Sequence, residues 1–468
     1  MKIIVVGAGP GGYTAGIRAA QKGHDVVVIE DRDLGGTCLN HGCIPSKIFR
    51  RSADIADDLK HMKGYGFEAD EVPQFSMAAL QNRKQRIVAT QQKGIQALLK
   101  NNTVTLVRGR ASLGPDRAVT VDMEEGGKEI LEYDRLILAT GSRPSALPFA
   151  PFDGDHILSS DHVLGMTQLP DTAVIVGGGV VGCEFAFILS SLGVKITVVE
   201  ALDRMLCLPG ISPATSRVVE VSMKKNKIRP LCNSLVKNIS VAGGICRVAV
   251  GSVKQPDKHQ VIEAQKVIVV AGRKPSTRGL NLEQAGIATQ KGFVPVTPSM
   301  ETRVENIYAI GDLAWAPGKQ MLAHVAAREA EVAVDAICGR KTAMSYRAVP
   351  SAIFTSPEVA CVGMTRDQAL EEGRAASETR VMLRTLGKIQ ALGKLDGHAI
   401  VTFDQLTHEI LGVELAGAHA TDIIAEAGLA VEKRLTLEDI CHTVHAHPTV
   451  AEIMMEVCEK AKGTPLHG

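Results

Sequence analysis

The apolar residues of this 468-residue chain gather into short continuous runs. Ile3-Ile4-Val5-Val6, Val26-Val27-Val28-Ile29, Leu136-Ile137-Leu138, Ala173-Val174-Ile175-Val176 and Val267-Ile268-Val269-Val270 are bounded by glycines or polar turns. β-Branched runs of this length predict short strands buried on both faces, the pattern of a parallel sheet covered by helices. Helical stretches are expected around 52–100, with turns near Gly64 and Pro73, and over 322–339. Short strands are expected over 104–122. Beyond Tyr346 the pattern changes to strands at 349–354, 399–403 and 411–415, alternating with helices at 422–432 and 437–442, which reads as a separate α+β unit.

The pattern also repeats. Lys2–Val6 runs into Gly7-Ala8-Gly9-Pro10-Gly11-Gly12, and Ala173–Val176 runs into Gly177-Gly178-Gly179-Val180-Val181-Gly182, so that Gly7, Gly9 and Gly12 recur 170 positions on as Gly177, Gly179 and Gly182. The offset holds from Gly23 to Gly193 and from Glu30 to Glu200. Each copy reads strand, G-x-G-x-x-G turn, helix, second strand, acid. Glycines in that turn let the backbone approach a pyrophosphate, the helix N-terminus favours its charge, and the acid accepts from a ribose diol. Two copies in one register imply two dinucleotide sites. A carboxylate at Glu200 pairs with a 2′-hydroxyl and repels a 2′-phosphate, which favours NAD over NADP.

Charge narrows the field. With 52 Lys and Arg against 51 Asp and Glu the net charge is +1, which gives no reason to expect nucleic acid or an anionic membrane as partner. No apolar run approaches a spanning helix, and the N-terminal run is too short for a signal peptide, so a cytoplasmic location is the default expectation. The length suggests two to four domains.

Of ten cysteines, only Cys38 and Cys43 form a motif, Gly35-Gly36-Thr37-Cys38-Leu39-Asn40-His41-Gly42-Cys43-Ile44-Pro45-Ser46-Lys47. Residues five apart in a regular helix lie about 140° apart around its axis, so an undistorted helix would not join them. Gly42 and Pro45 can loosen or restart a turn. Spacing alone leaves open a redox pair, two unlinked thiols or half a metal site.

The series of motifs resembles the pyridine nucleotide-disulfide oxidoreductases, flavoenzymes of the glutathione reductase type. It rests, in order, on the first glycine motif, GGTCLNHGCIPSK, ATGSRP, the second glycine motif, AIGD, PSAIFTSPEVACVG and HAHPTVAE. The resemblance implies an α/β fold with two Rossmann-like dinucleotide-binding domains and a C-terminal α+β dimerisation domain. It divides the chain into an FAD-binding part (1–146), an NAD-binding part (147–273), a return to the first domain (274–345) and the C-terminal domain (346–468). Gly7, Gly9, Gly12, Glu30, Lys47, Gly141, Ser142 and Asp312 are expected at FAD. Gly177, Gly179, Gly182, Glu184, Glu200 and Gly272 are assigned to the NAD side, and Glu184 also stands where a carboxylate partner of Lys47 is expected. No metal is expected.

By the same resemblance Cys38 exchanges with substrate and Cys43 faces the flavin. His447 is the base, oriented by Glu452, with Pro448 stiffening the turn and His445 structural; the base serves the other subunit of a homodimer, so that each active site crosses the interface. The implied reaction is oxidation of dihydrolipoyl groups on a carrier protein by NAD. His41 between the cysteines, Val325 after His324, and the segment 385–396 depart from that pattern. They keep reduction of another disulfide or of a metal ion in view, although the tail carries a single cysteine, Cys458, where mercuric reductases carry a pair. A non-catalytic flavoprotein acting as redox sensor or docking subunit is the reading from a different class.

Overall fold

A computed structural model describes residues 1–68, 71, 73–255 and 258–467. The internal repeat is visible to the residue. Strand Lys2–Val6, helix α1 (Pro10–Gln21) and strand Asp25–Glu30 are matched 170 positions later by strand Thr172–Val176, a helix at Val180–Ser191 and strand Lys195–Val199. In the first unit Lys2–Val6 lies parallel to Asp25–Glu30 on one side and to Arg135–Leu138 on the other. Strand Ile307–Ala309 then joins the far edge beside Arg135–Leu138, so the chain returns to this sheet after leaving it. Strand Thr105–Leu113 pairs first with Asp25–Glu30 and then with an antiparallel meander, Ala118–Met123 and Lys128–Glu132, completing seven strands.

Between the two glycine motifs run α2 (Gly36–His41), α3 (Cys43–Lys60), α4 (Met77–Asn101) and the short α5 (Ser160–Gly165). The second unit carries α6 (Val180–Ser191) and α7 (Pro213–Lys225) around a five-stranded parallel sheet centred on Thr172–Val176. A separate three-stranded antiparallel sheet, Ser234–Ala242, Ile245–Ser252 and His259–Ala264, packs on it. Helix α8 (Ala323–Ile337) covers the first sheet.

The C-terminal unit is a five-stranded antiparallel sheet, in the order Ser351–Ile353, Val359–Gly363, Ile410–Ala416, His398–Asp404, Ala376–Met382. It is accompanied by α9 (Arg366–Glu371), α10 (Gly387–Leu392), α11 (Ala420–Lys433), α12 (Leu437–Cys441) and α13 (Glu452–Ala461). No helix among the described residues is long and apolar enough to cross a membrane.

One core cluster ties the units together. Ile48 and Phe49 of α3 are buried with Phe185, Phe187 and Ile188 of α6 and with Ile353 of the C-terminal sheet. The helix that starts at Cys43 is thereby packed against all three units at once. Phe187 is 1% exposed in this cluster. Phe187→Ala should cost about 3–5 kcal/mol through lost burial and a cavity, read as a lower denaturant midpoint.

Candidate active site

Helix α2 ends at His41 and α3 begins at Cys43, with Gly42 between them at φ −145° and ψ −110°. The break falls at Gly42, one of the residues expected to loosen the turn between the cysteines. A side chain at Gly42 would place its Cβ 3.0 Å from the Thr37 carbonyl oxygen, so the turn closes best on glycine. Pro45 falls in the first turn of α3, where its missing N–H costs no intrahelical bond.

Both cysteines are free thiols here, Cys38 half-buried and Cys43 open to a cavity. They are unequal. Cys38 donates a hydrogen bond to Cys43, and that bond, with the Lys47 ammonium, outweighs burial and brings Cys43 down to about 7. The same bond, reinforced by burial, pushes Cys38 well above the usual thiol range. Near neutral pH the pair therefore holds its negative charge on Cys43.

Lys47 lies one turn along α3. Its Nζ donates to Glu184 Oε2 at 2.8 Å and Oε1 at 3.0 Å, and sits 4.1 Å from the centroid of the Phe354 ring. Glu184, on α6 and 8% exposed in its side chain, also accepts from the Phe354 backbone N–H at 3.0 Å. The expected partnership of Lys47 with Glu184 is thus present, and both line the same cavity as Cys43. Phe354 carried no signal of this role in the sequence, because its contacts reach back 170 positions; the PSAIFTSPEV motif around it was the available pointer.

The cavity has a volume of about 1050 Å³ and runs from the first glycine motif to the dithiol. Gly7, Gly9, Glu30, Gly141, Ser142, Asp312, Cys43, Lys47 and Glu184 all line it. A Cβ on Gly9 or Gly141 would meet no atom closer than 3.9 Å, so the open space beside these backbones belongs to the cavity. Helix α1 starts there with no side-chain cap, leaving its first N–H groups for an anion. Glu30 is buried, its carboxylate fixed by the N–H groups of Ala8 (2.6 Å) and Arg32 (2.9 Å). Ser142 Oγ donates to Asp312 at 2.5 Å and accepts from Arg273 Nε at 2.7 Å, Arg273 being a neighbour that no motif announced. An elongated dinucleotide with its pyrophosphate at α1 fits these residues.

Gly12 has a different place. It does not line the cavity; a Cβ there would fall 1.8 Å from the Gly7 carbonyl oxygen, so this glycine lets the helix pack on the turn. Gly182 stands in the same relation to Gly177, at 1.9 Å. In the second motif Glu200 accepts from the Gly178 N–H at 2.5 Å and the Leu202 N–H at 2.8 Å, repeating the bonding of Glu30. Helix α6 likewise begins at Gly179 without a side-chain cap. Gly272 adopts φ +135° after the strand Lys266–Val269. The first residues of α6, Val180 and Val181, line the same cavity as the dithiol. Arg204 donates to Asp203 and to the Ile211 carbonyl oxygen, both at 3.4 Å.

His447 Nδ1 bonds Glu452 Oε1 at 2.8 Å, and Glu452 Oε2 accepts from the Thr449 N–H at 2.8 Å. Burial works against the Glu452 charge, but His447 and Thr449 outweigh it and hold the carboxyl below its usual range. A carboxylate on Nδ1 fixes the tautomer that leaves Nε2 free to take a proton. The His447 side chain is 77% exposed and does not line the cavity of its own chain. His445 is 6% exposed, held by Glu426 at 2.9 Å, and has a structural place.

Residues 1–330 match the family described as pyridine nucleotide-disulphide oxidoreductase, and 349–458 match the dimerisation domain of the same family. The chain is 38% identical over 465 residues to dihydrolipoyl dehydrogenase of Chlamydia pneumoniae, covering 99% of this chain and 97% of that one. It is 35% identical over 469 residues to dihydrolipoyl dehydrogenase of Bacillus subtilis, covering both in full. The crystal structure of LpdA from Mycobacterium tuberculosis superimposes with a TM-score of 0.90 at 26% identity, over 98% of this chain and 99% of that one.

The unequal thiols can be measured. In the reduced protein, thiolate absorbance measured as the difference from a Cys43→Ser variant should rise with pH through a midpoint near 7. Lys47 stabilises the thiolate, so Lys47→Met should move that midpoint upward; an unmoved or lower midpoint would contradict the assignment.

Proposed function

The chain belongs to the pyridine nucleotide-disulphide oxidoreductases, and we propose that it is an FAD-dependent dihydrolipoyl dehydrogenase that oxidises dihydrolipoyl groups on a carrier protein with NAD. The observation that carries this reading is the dithiol itself. Two cysteines on a broken helix line a dinucleotide cavity, with the charge on Cys43. The full-length similarity to dihydrolipoyl dehydrogenases supports the choice of substrate. The dimerisation domain makes the protein a homodimer.

FAD, when bound, supplies the route by which the two electrons of the dithiol reach NAD. The protein's part begins with the enzyme in its disulfide form. His447, contributed by the other subunit, takes the proton from one substrate thiol through Nε2, and Glu452 stabilises the imidazolium that results. The substrate thiolate attacks Cys38 Sγ; the bond from Cys38 to Cys43 breaks and Cys43 leaves as thiolate. The second substrate thiol attacks the substrate sulfur of the mixed disulfide and passes its proton to the departing Cys38, closing the substrate disulfide and leaving Cys38 as thiol and His447 as imidazolium. The substrate is oxidised by two electrons and the enzyme pair is reduced by two. The low pKa of Cys43 makes it the better leaving group, and Cys38, which resists ionisation, takes a proton on release. Lys47 keeps the new thiolate paired at the cavity wall, and Glu184 keeps Lys47 there. Glu200, on the second motif, selects a free 2′-hydroxyl and hence NAD.

Cys43→Ser should abolish NADH formation from dihydrolipoamide while FAD stays bound; retained activity would refute the scheme. Mixing tests the shared site. Homodimers of Cys38→Ser should be inactive and those of His447→Gln slowed about 10²–10⁴-fold. Re-paired mixtures of the two should regain about a quarter of wild-type activity, because random pairing makes half the dimers hybrid with one intact site each. A mixture as inactive as its parents would place base and dithiol in one chain.

A further inference from the structure

Behind the Asp312 turn lies a buried charge pair that the thiol chemistry does not use. Lys319 donates to Glu329, with side chains 5% and 0% exposed. Glu329, on α8, also accepts from the Gly311 N–H at 2.7 Å and from the Tyr346 hydroxyl at 2.7 Å. One carboxylate thus gathers the loop before α8, the Gly311–Asp312 turn and the segment leading to the C-terminal sheet. Burying two charges is costly, and a buried pair is by itself weak evidence of stability. Apolar residues of similar volume would join the same elements. They would not, however, give the Gly311 N–H its acceptor.

That N–H matters because it anchors the turn carrying Asp312. Gly311 adopts φ +66°, and a Cβ there would meet Ala326 of α8 at 3.3 Å. The turn is pressed onto the helix and delivers Asp312 into the cavity, where Leu322, Ala323 and His324 at the start of α8 also stand. Lys319 itself does not line the cavity. Burial pulls its ammonium below the usual lysine range, against Glu329 first and Asp312 second, so the charge acts on both carboxylates.

We propose that Lys319 is a positioning residue for the flavin: it locks Glu329 as the acceptor of the Gly311 N–H and thereby holds Asp312 and the first turn of α8 at the cavity wall. The inference rests on the reading that this cavity takes FAD. It differs from a purely structural role, in which the pair only balances buried charge.

The test is FAD titration of the full-length apoprotein, followed by quenching of flavin fluorescence, with the thermal midpoint measured alongside. Lys319→Met should weaken FAD binding by at least about tenfold, the scale of one hydrogen bond to a charged group. In Lys319→Met/Glu329→Met no lone buried charge remains, but the Gly311 N–H and the Tyr346 hydroxyl lose their acceptor. The double variant should therefore recover most of the thermal midpoint and not the affinity. It also replaces the single variant if that one does not fold. Glu414→Gln is the control: this buried carboxylate of the C-terminal sheet accepts from the Ser212 N–H at the start of α7 at 2.8 Å and lies off the cavity. It should lower the midpoint and leave FAD affinity unchanged. Unchanged affinity in Lys319→Met, or recovery of affinity together with stability in the double variant, would overturn the proposal. A wild-type protein that takes up no FAD would refute the cofactor reading, and the inference with it.

Discussion

The arrangement of the site depends on the Glu184 carboxylate. It lies on α6 of the second dinucleotide unit, it binds Lys47 of the first, and it accepts the backbone N–H of Phe354 in the C-terminal part. A carboxylate 8% exposed is costly unless its oxygens are met by donors. Here the donors come from two other segments, so the charge is tolerated only when all three are in register. The same contact places Lys47 near Cys43. Domain packing and thiol electrostatics are therefore one constraint, and a shift of α6 against α3 would alter the dithiol.

The two glycine motifs show how one backbone design serves two kinds of ligand. Glu30 and Glu200 make the same pair of backbone hydrogen bonds, 170 positions apart. Their surroundings differ. Glu30 is 7% exposed, whereas Glu200 is only half-buried. A closed cradle suits a group that stays through turnover; a more open one suits a nucleotide that must arrive oxidised and leave reduced. The duplicated turn supplies affinity for a pyrophosphate in both, and the burial around it suits one to residence and the other to exchange.

Much of this was legible in the chain because the signals are local. The repeat located the two motifs to the residue; Gly42 announced the helix break between the cysteines; and His447 and Glu452, five apart, meet within one turn. What was not legible is long-range. Arg273 reaches Ser142 across 131 positions, and Phe354 reaches Glu184 across 170. The sheet over Ser234–Ala264 was also missed. Its outer strands, Ser234–Ala242 and His259–Ala264, are largely exposed, and the middle one, Ile245–Ser252, buries mainly alternate residues rather than a long continuous run. Gly12 and Gly182 were expected at ligands with their neighbours, yet a Cβ at either would strike a carbonyl oxygen of its own turn. Spacing identifies such glycines without saying whether backbone or ligand needs the room.

The base and the dithiol are prepared separately. His447 already has its tautomer set by Glu452, which sits at the start of α13 and is braced by the Thr449 N–H, all within one C-terminal unit. Cys38 and Cys43 are made unequal by contacts among α2, α3 and α6 of the nucleotide units. The Glu452 contact of His447 and the contacts around the dithiol are each made within one chain. In the proposed reaction, assembly has only to bring Nε2 within reach of a substrate thiol that approaches Cys38. An exposed histidine, costly to position by packing alone, is thus held by a carboxylate in its own chain, and dimerisation need contribute only placement.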